Sequence, residues 1–252
     1  MIRGLYIAAS GMETQSKRMD VISNNLANSS TTGFKKDLLI STTSPEVTII
    51  SRGGKGYKGS ARINAVGTLN YITHVDNIHT AFTQGQLNAT EKTTDLAIRG
   101  QGFFVVDTPE GLRYTRDGTF VINGNGFLVD TKGNYLMGEN GPIQLTSESF
   151  TVTSGGFIYE NGELIDRLNL IDFQNPGSLR KIGDNLYDTT NQTTAIEFQG
   201  EVMQGYLEGS NVSALGEMVD MITATRIYES NQRVVNMLDS TLDKAVNEIA
   251  RF

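Results

Sequence analysis

The sequence predicts an α+β protein, with a terminal α-helical coiled-coil domain formed by both chain ends and a central all-β domain closed as an antiparallel barrel or sandwich. Three observations carry this. Residues 1–30 and roughly 210–252 contain no Pro and few Gly, whereas the intervening chain holds all four Pro (Pro45, Pro109, Pro142, Pro176) and most of the 27 Gly. Both ends repeat apolar residues at alternating spacings of three and four, and the middle places turn residues about every eight positions.

In the N-terminal segment, residues 1–30, Leu5, Ala8, Met12, Gln15, Met19, Ile22 and Leu26 form the a/d seam of a heptad with one polar member, Gln15. The C-terminal segment, residues 208–252, keeps the pattern for longer through Met221, Ala224, Tyr228, Asn231, Val235, Leu238, Leu242, Ala245, Ile249 and Phe252, and its charges fall off the seam. Ser213 stands where an N-cap is needed, and Glu217 would face the positive end of the helix dipole. For most proteins such stripes mean a helical hairpin or a cover for a sheet. Two helices are too thin to hide seams of this length, so a bundle closed by further copies of the chain is the sharper expectation. Its interface would be Leu5, Met12, Met19, Ile22 and Leu26 from one end and Met221, Tyr228, Val235, Leu238, Leu242 and Ile249 from the other.

Residues 31–74 are rich in Ser, Thr and Gly and read as an extended linker that packs only when something else holds it. From 75 to 207 short β-prone runs such as Phe103–Val106, Leu112–Thr115 and Thr119–Ile122 alternate with turn signals at Pro109-Glu110-Gly111, Asp117-Gly118, Asn125-Gly126, Lys132-Gly133, Asn140-Gly141 and Asn161-Gly162. This is the pattern of a hairpin meander.

Composition excludes several functions. The 21 Lys and Arg against 28 Asp and Glu give a net charge of −7, which disfavours a grip on nucleic acid. No Cys is present and only two His, so thiol chemistry, disulfides and nearly all zinc sites are lost, and His74 and His79 would lie on opposite faces of a strand. The segment Gly54–Ser60 lacks the Gly-Lys-Ser/Thr ending of a phosphate loop and reads as a solvated basic turn. No pair of carboxylates is marked for acid–base work, so neither an enzyme nor a cofactor is expected. No apolar run approaches the roughly 18 to 20 residues of a membrane span, and the N-terminus has no apolar region suited to a cleaved signal.

One cluster stands apart. Asn24-Asn25-Leu26-Ala27-Asn28 closes the first helix and is followed by Thr31-Thr32-Gly33-Phe34-Lys35. Asn and Gly suit a helix C-terminus, Phe34 anchors the chain beyond it, and Lys35 favours the negative end of the dipole, so a helix stop accounts for all of it. These residues, together with Asp95–Phe104, Tyr114–Phe120 and Gln204–Val212, resemble the bacterial flagellar rod and hook family. The four motifs occur in the family's order and span nearly the whole chain. The length and compact middle look like a rod protein. Met1–Tyr6 and Ile182–Tyr187 lean towards the distal rod type, while the modest length and Leu207–Asn211 leave a proximal type open.

The resemblance implies a structural subunit of the flagellar basal body that is exported unfolded and uncut by the flagellar type III apparatus and polymerises helically into a tube. Terminal helices would line the channel as a coiled-coil layer, with the β domain outside. Its partners would be other copies of itself, the other rod and hook proteins, and the export apparatus. Two alternatives belong to other classes: a carbohydrate-acting or cell-wall module on the β domain, which would need two facing carboxylates, and a monomeric α+β domain whose helices pair only with each other.

Overall fold

The computed structural model describes residues 2–44, 47–55, 61–69, 72–147 and 149–249. The chain divides into two compact units, a helical unit of Met1–Asn24, Leu38–His79 and Leu215–Phe252, and a β unit of Asn25–Asp37 and Thr80–Ala214.

In the helical unit, α1 (Ile2–Ala27) and α2 (Ala214–Lys244) are long helices, α2 starting directly after Ser213 and running on into a π-helical turn at Ala245–Ile249. The two run antiparallel. A Cβ built on Gly4 would lie 3.2 Å from Leu238 Cδ1, one on Gly11 would lie 2.8 Å from Asn231 Nδ2, and Thr225 Oγ1 is 3.5 Å from Met19 Sδ. Gly at positions 4 and 11 thus permits the close approach.

Residues 31–74 differ from the expected extended linker. They carry β1 (Asp37–Thr43), β2 (Val47–Lys55), β3 (Ala61–Leu69) and the start of β4 (Thr73–Thr80). β1 pairs with β4, and β2 with β3 in a hairpin running from Val47↔Leu69 to Lys55↔Ala61. The abundance of Ser, Thr and Gly hid the Val and Ile among them, such as Val47, Ile50 and Val66. The basic turn at Gly54–Ser60 falls largely outside the described residues.

The β unit contains β5 (Leu87–Ala89), β6 (Leu96–Arg99), β7 (Phe103–Thr108), β8 (Gly111–Thr115), β9 (Val121–Ile122), β10 (Leu128–Val129), β11 (Tyr135–Leu136), β12 (Phe150–Val152), β13 (Phe157–Glu160) and β14 (Glu163–Arg167). It continues with β15 (Leu170–Phe173), β16 (Arg180–Gly183), β17 (Leu186–Asp188), β18 (Ala195–Glu197), β19 (Glu201–Gln204) and β20 (Tyr206–Glu208). Turns or bends form at the other expected positions, whereas Asp117-Gly118 lies in irregular chain and β8 pairs with β7 and β17, not β9. Asn161 and Gly162 both take positive φ (51° and 88°), as a two-residue hairpin between β13 and β14 requires.

The expected barrel is not closed. β7 gives one edge to β8, while its other edge is divided, Phe103 and Phe104 pairing with β15 and Val106 and Asp107 with β11. A strand whose edge is shared in this way branches the sheet, and the result is an open sheet ordered β16-β17-β8-β7-β11-β10-β9 with β15 and β18 off the path. β7 is also buried on both faces. Phe104 and Val106 enter an aliphatic core with Leu96, Leu128, Leu136 and Ile158, and Phe103 enters an aromatic cluster with Phe173 and Tyr187. A continuous apolar run in a period-2 strand is what such two-sided burial needs.

Candidate assembly faces and a buried ionic junction

Ala8, Ile22 and Ala224 are buried, and Leu5, Met12, Met19, Leu26, Met221, Tyr228, Val235, Leu238 and Leu242 are half-buried. Ile249 lies in the π-helical turn, and Phe252 falls outside the described residues. Within one chain, then, α1 and α2 turn their seams towards each other, the simpler of the two arrangements that the spacing allows. The polar member Gln15 leaves its Oε1 without a hydrogen bond among the described residues.

A second apolar stripe was missed. Leu215, Met218, Val219 and Ile222 are exposed, Leu215 at 73% and Ile222 at 54%. Their spacing of i, i+3, i+4 and i+7 puts them on one side of α2, roughly opposite Ala224. The signal was present, but the longer seam masked it. Val47, Ile50 and Val66 on the β2–β3 hairpin are exposed as well.

In the β unit the residues that close and follow α1 do more than stop a helix. Asn25 is buried, its side chain donating to Asp37 O and accepting from Asp37 N, both at 2.9 Å, while Asn28 Oδ1 accepts from Thr31 Oγ1. Gly33 has φ +67°, and a Cβ there would lie 2.5 Å from Asp117 N, so any side chain would strike backbone. Phe34 is 3% exposed beneath the Lys181 ammonium, 3.8 Å from the ring centre. Lys181 Nζ also donates to Lys35 O and Asp37 Oδ2, each at 3.1 Å.

Lys35 corrects the helix-dipole expectation. Its side chain is fully buried and its ammonium contacts Glu208 Oε1 at 2.5 Å and Thr83 O at 2.9 Å. Glu208 Oε1 also accepts from Gly85 N at 2.9 Å, and Oε2 lies 3.3 Å from Arg116 Nη1. Arg116 in turn donates to Ile98 O and Gly100 O. Burial draws the Lys35 ammonium below its usual range and Glu208 opposes it; the buried Arg116 guanidinium shifts the same way, against Glu208 and Asp172. Both cations are held in place by one shared carboxylate. Asn211 completes the junction by accepting from Lys36 N at 2.7 Å and donating to Ala81 O and Thr83 O.

The four motif segments that stood apart in the sequence therefore meet at one place: Gly33 and Lys35, Ile98 and Gly100, Arg116 and Asp117, Glu208 and Asn211. From sequence, Lys35 has only a helix-dipole role, and Arg116 and Glu208, within those motifs, have none. Charged residues amid Gly-rich turns were the available signal. Among the described residues there is no cluster of metal-ligating side chains and no helix long and apolar enough to cross a membrane.

The two long terminal helices and the β unit fall in regions that match descriptions of proteins of the flagellar axial class. Three family descriptions match in order, Flagella basal body rod protein over residues 5–35, Flagellar hook protein FlgE/F/G D1 domain over 97–160, and Flagellar basal body rod FlgEFG protein C-terminal over 203–248. The chain is 34% identical to the flagellar basal-body rod protein FlgG of Bacillus subtilis, covering 98% of this chain and 99% of that one. It is 33% identical to the rod protein FlgF of Caulobacter vibrioides over 100% and 98%, and 30% identical to the hook-basal body complex protein FlhO of Bacillus subtilis over the full length of both. The chain belongs to the flagellar basal-body rod protein family.

Proposed function

We propose that this protein is a structural subunit of the flagellar basal-body rod that polymerises helically through its terminal helices into the tube serving as drive shaft and export channel. The observation that carries the proposal is the two-sided apolar character of α2. Its seam is turned towards α1, yet Leu215, Met218, Val219 and Ile222 remain in water. An apolar stripe costs solubility unless something covers it, and each such side chain is worth about 1.5–3 kcal/mol when fully buried. Neighbouring copies would supply the cover, and the coiled-coil layer would then consist of helix pairs from many chains.

The distal position is favoured, supported by Met1–Tyr6, by Ile182–Tyr187 and by relatives named FlgG. A proximal position is the second reading, favoured by the full-length similarity to a protein named FlgF. In either position the subunit would lie outside the cytoplasmic membrane, delivered by the type III export apparatus and in contact with other rod and hook proteins. A chain without Cys suits such a route, since no disulfide can form before the subunit is in place.

The test is Ile222→Asp, a charge placed in the exposed stripe. The variant is expected to be exported and to fold with unchanged helix content, but to be missing from isolated basal bodies and to leave cells non-motile. Normal incorporation of the variant would overturn the assignment of this face.

A further inference from the structure

The β unit is entered at residues 32–37 and left at 208–211, and both segments rest on the same strip of chain, 81–86. Gly33 N donates to Glu208 O at 2.7 Å, Asn211 N to Phe34 O at 3.4 Å, and Gly209 N to Gln86 O at 2.8 Å. Lys35 and Glu208 join them through a fully buried ion pair. We propose that these two segments form a single cooperative latch, docking and undocking together as a unit less stable than the apolar core.

The physical argument concerns what each segment would leave behind. If 208–211 departed alone, the Lys35 ammonium would stay buried beside the Arg116 guanidinium with no carboxylate between them. If 32–37 departed alone, Glu208 would lose its closest cation, its carbonyl would lose Gly33 N, and Asn211 would lose Lys36 N. A buried charge without its partner is among the costliest arrangements a fold can hold, so states with one segment docked are suppressed. Joint departure carries Lys35 and Glu208 into water together and leaves Arg116 its bonds to Ile98 O and Gly100 O, which costs far less. Phe34 is the one large apolar side chain the two segments bury, and neither segment contributes to the aliphatic core or the aromatic cluster. The latch is held by polar contacts, the β unit's interior by apolar ones, and two such regions open separately.

Native-state hydrogen exchange on the full chain, followed across low urea concentrations, tests this. The amides of Gly33, Lys36 and Gly209 are expected to exchange through one opening with a common free energy and urea dependence, at least about tenfold faster than the core amides of Leu128 and Ile143. Lys181→Met supplies the second arm, because Lys181 touches only the 34–37 side, through the Phe34 ring, Lys35 O and Asp37 Oδ2. A single latch predicts that all three amides accelerate by the same factor, at least about fivefold, including Gly209, which Lys181 does not touch. Acceleration confined to Gly33 and Lys36, unequal openings in the unaltered protein, no acceleration, or exchange in step with the core would each overturn the proposal.

Discussion

The two units solve the problem of buried surface in opposite ways. The β unit hides Phe103, Phe104, Phe120, Phe173 and Tyr187 almost completely and can even bury the charges of Lys35, Arg116 and Glu208, because each finds a partner. The helical unit leaves Tyr6, Leu215, Val219, Met237 and Val66 in water, and buries few large side chains. The β unit closes its core within one chain, although side chains such as Leu112 and Leu164 stay exposed on its surface. A unit that leaves an ordered apolar stripe on a long helix is shaped for contacts beyond its own chain.

The contrast can be broken most forcefully at the junction. Glu208→Gln would leave two buried cations facing one another, and urea unfolding should register a loss of about 3–5 kcal/mol; a loss below about 1 kcal/mol would mean that the ion pairs are not what holds the chain ends in the β unit. Next in size is Leu238→Asp, which sets a carboxylate in the seam opposite Gly4. Far-ultraviolet circular dichroism should then show weakened helix pairing while the thermal transition of the β unit stays in place. A common shift of both transitions would dissolve the distinction between the units.

The smallest effect is expected at Tyr187. Its hydroxyl is buried with no hydrogen bond among the described residues, and burial raises its pKa well above 10.0. Tyr187→Phe should therefore change stability at neutral pH by less than about 1 kcal/mol. Above pH 10 the unfolded chain loses the phenolic proton while the folded chain keeps it, so stability falls as pH rises. The variant should lack that part of the alkaline decline, and an unchanged alkaline profile would place the titration elsewhere.

How far the sequence revealed these features follows from their range. The seams are periodic over a few residues, so Met12, Ile22, Ala224 and Leu238 could be placed without coordinates. Hairpin turns are equally local, and Asn161-Gly162 folds as its residues demand. The junction has no period: Thr32 finds Asp117 across 85 positions and Lys35 finds Glu208 across 173. Only their membership in four separate motifs hinted that they belong together. The strands within 31–74 were obscured by Ser, Thr and Gly, and the barrel expectation failed because turn spacing carries no information on how β7 divides its edge.

The central claim is that the core of the β unit is closed within one chain while the outer face of α2 is completed by others. Hydrogen exchange of the full-length protein, compared peptide by peptide between dilute subunit and assembled rods, measures it directly. The account predicts strong additional protection of residues 215–222 on assembly, with that of Phe103–Val106 unchanged. Equal protection of 215–222 in both states would contradict it.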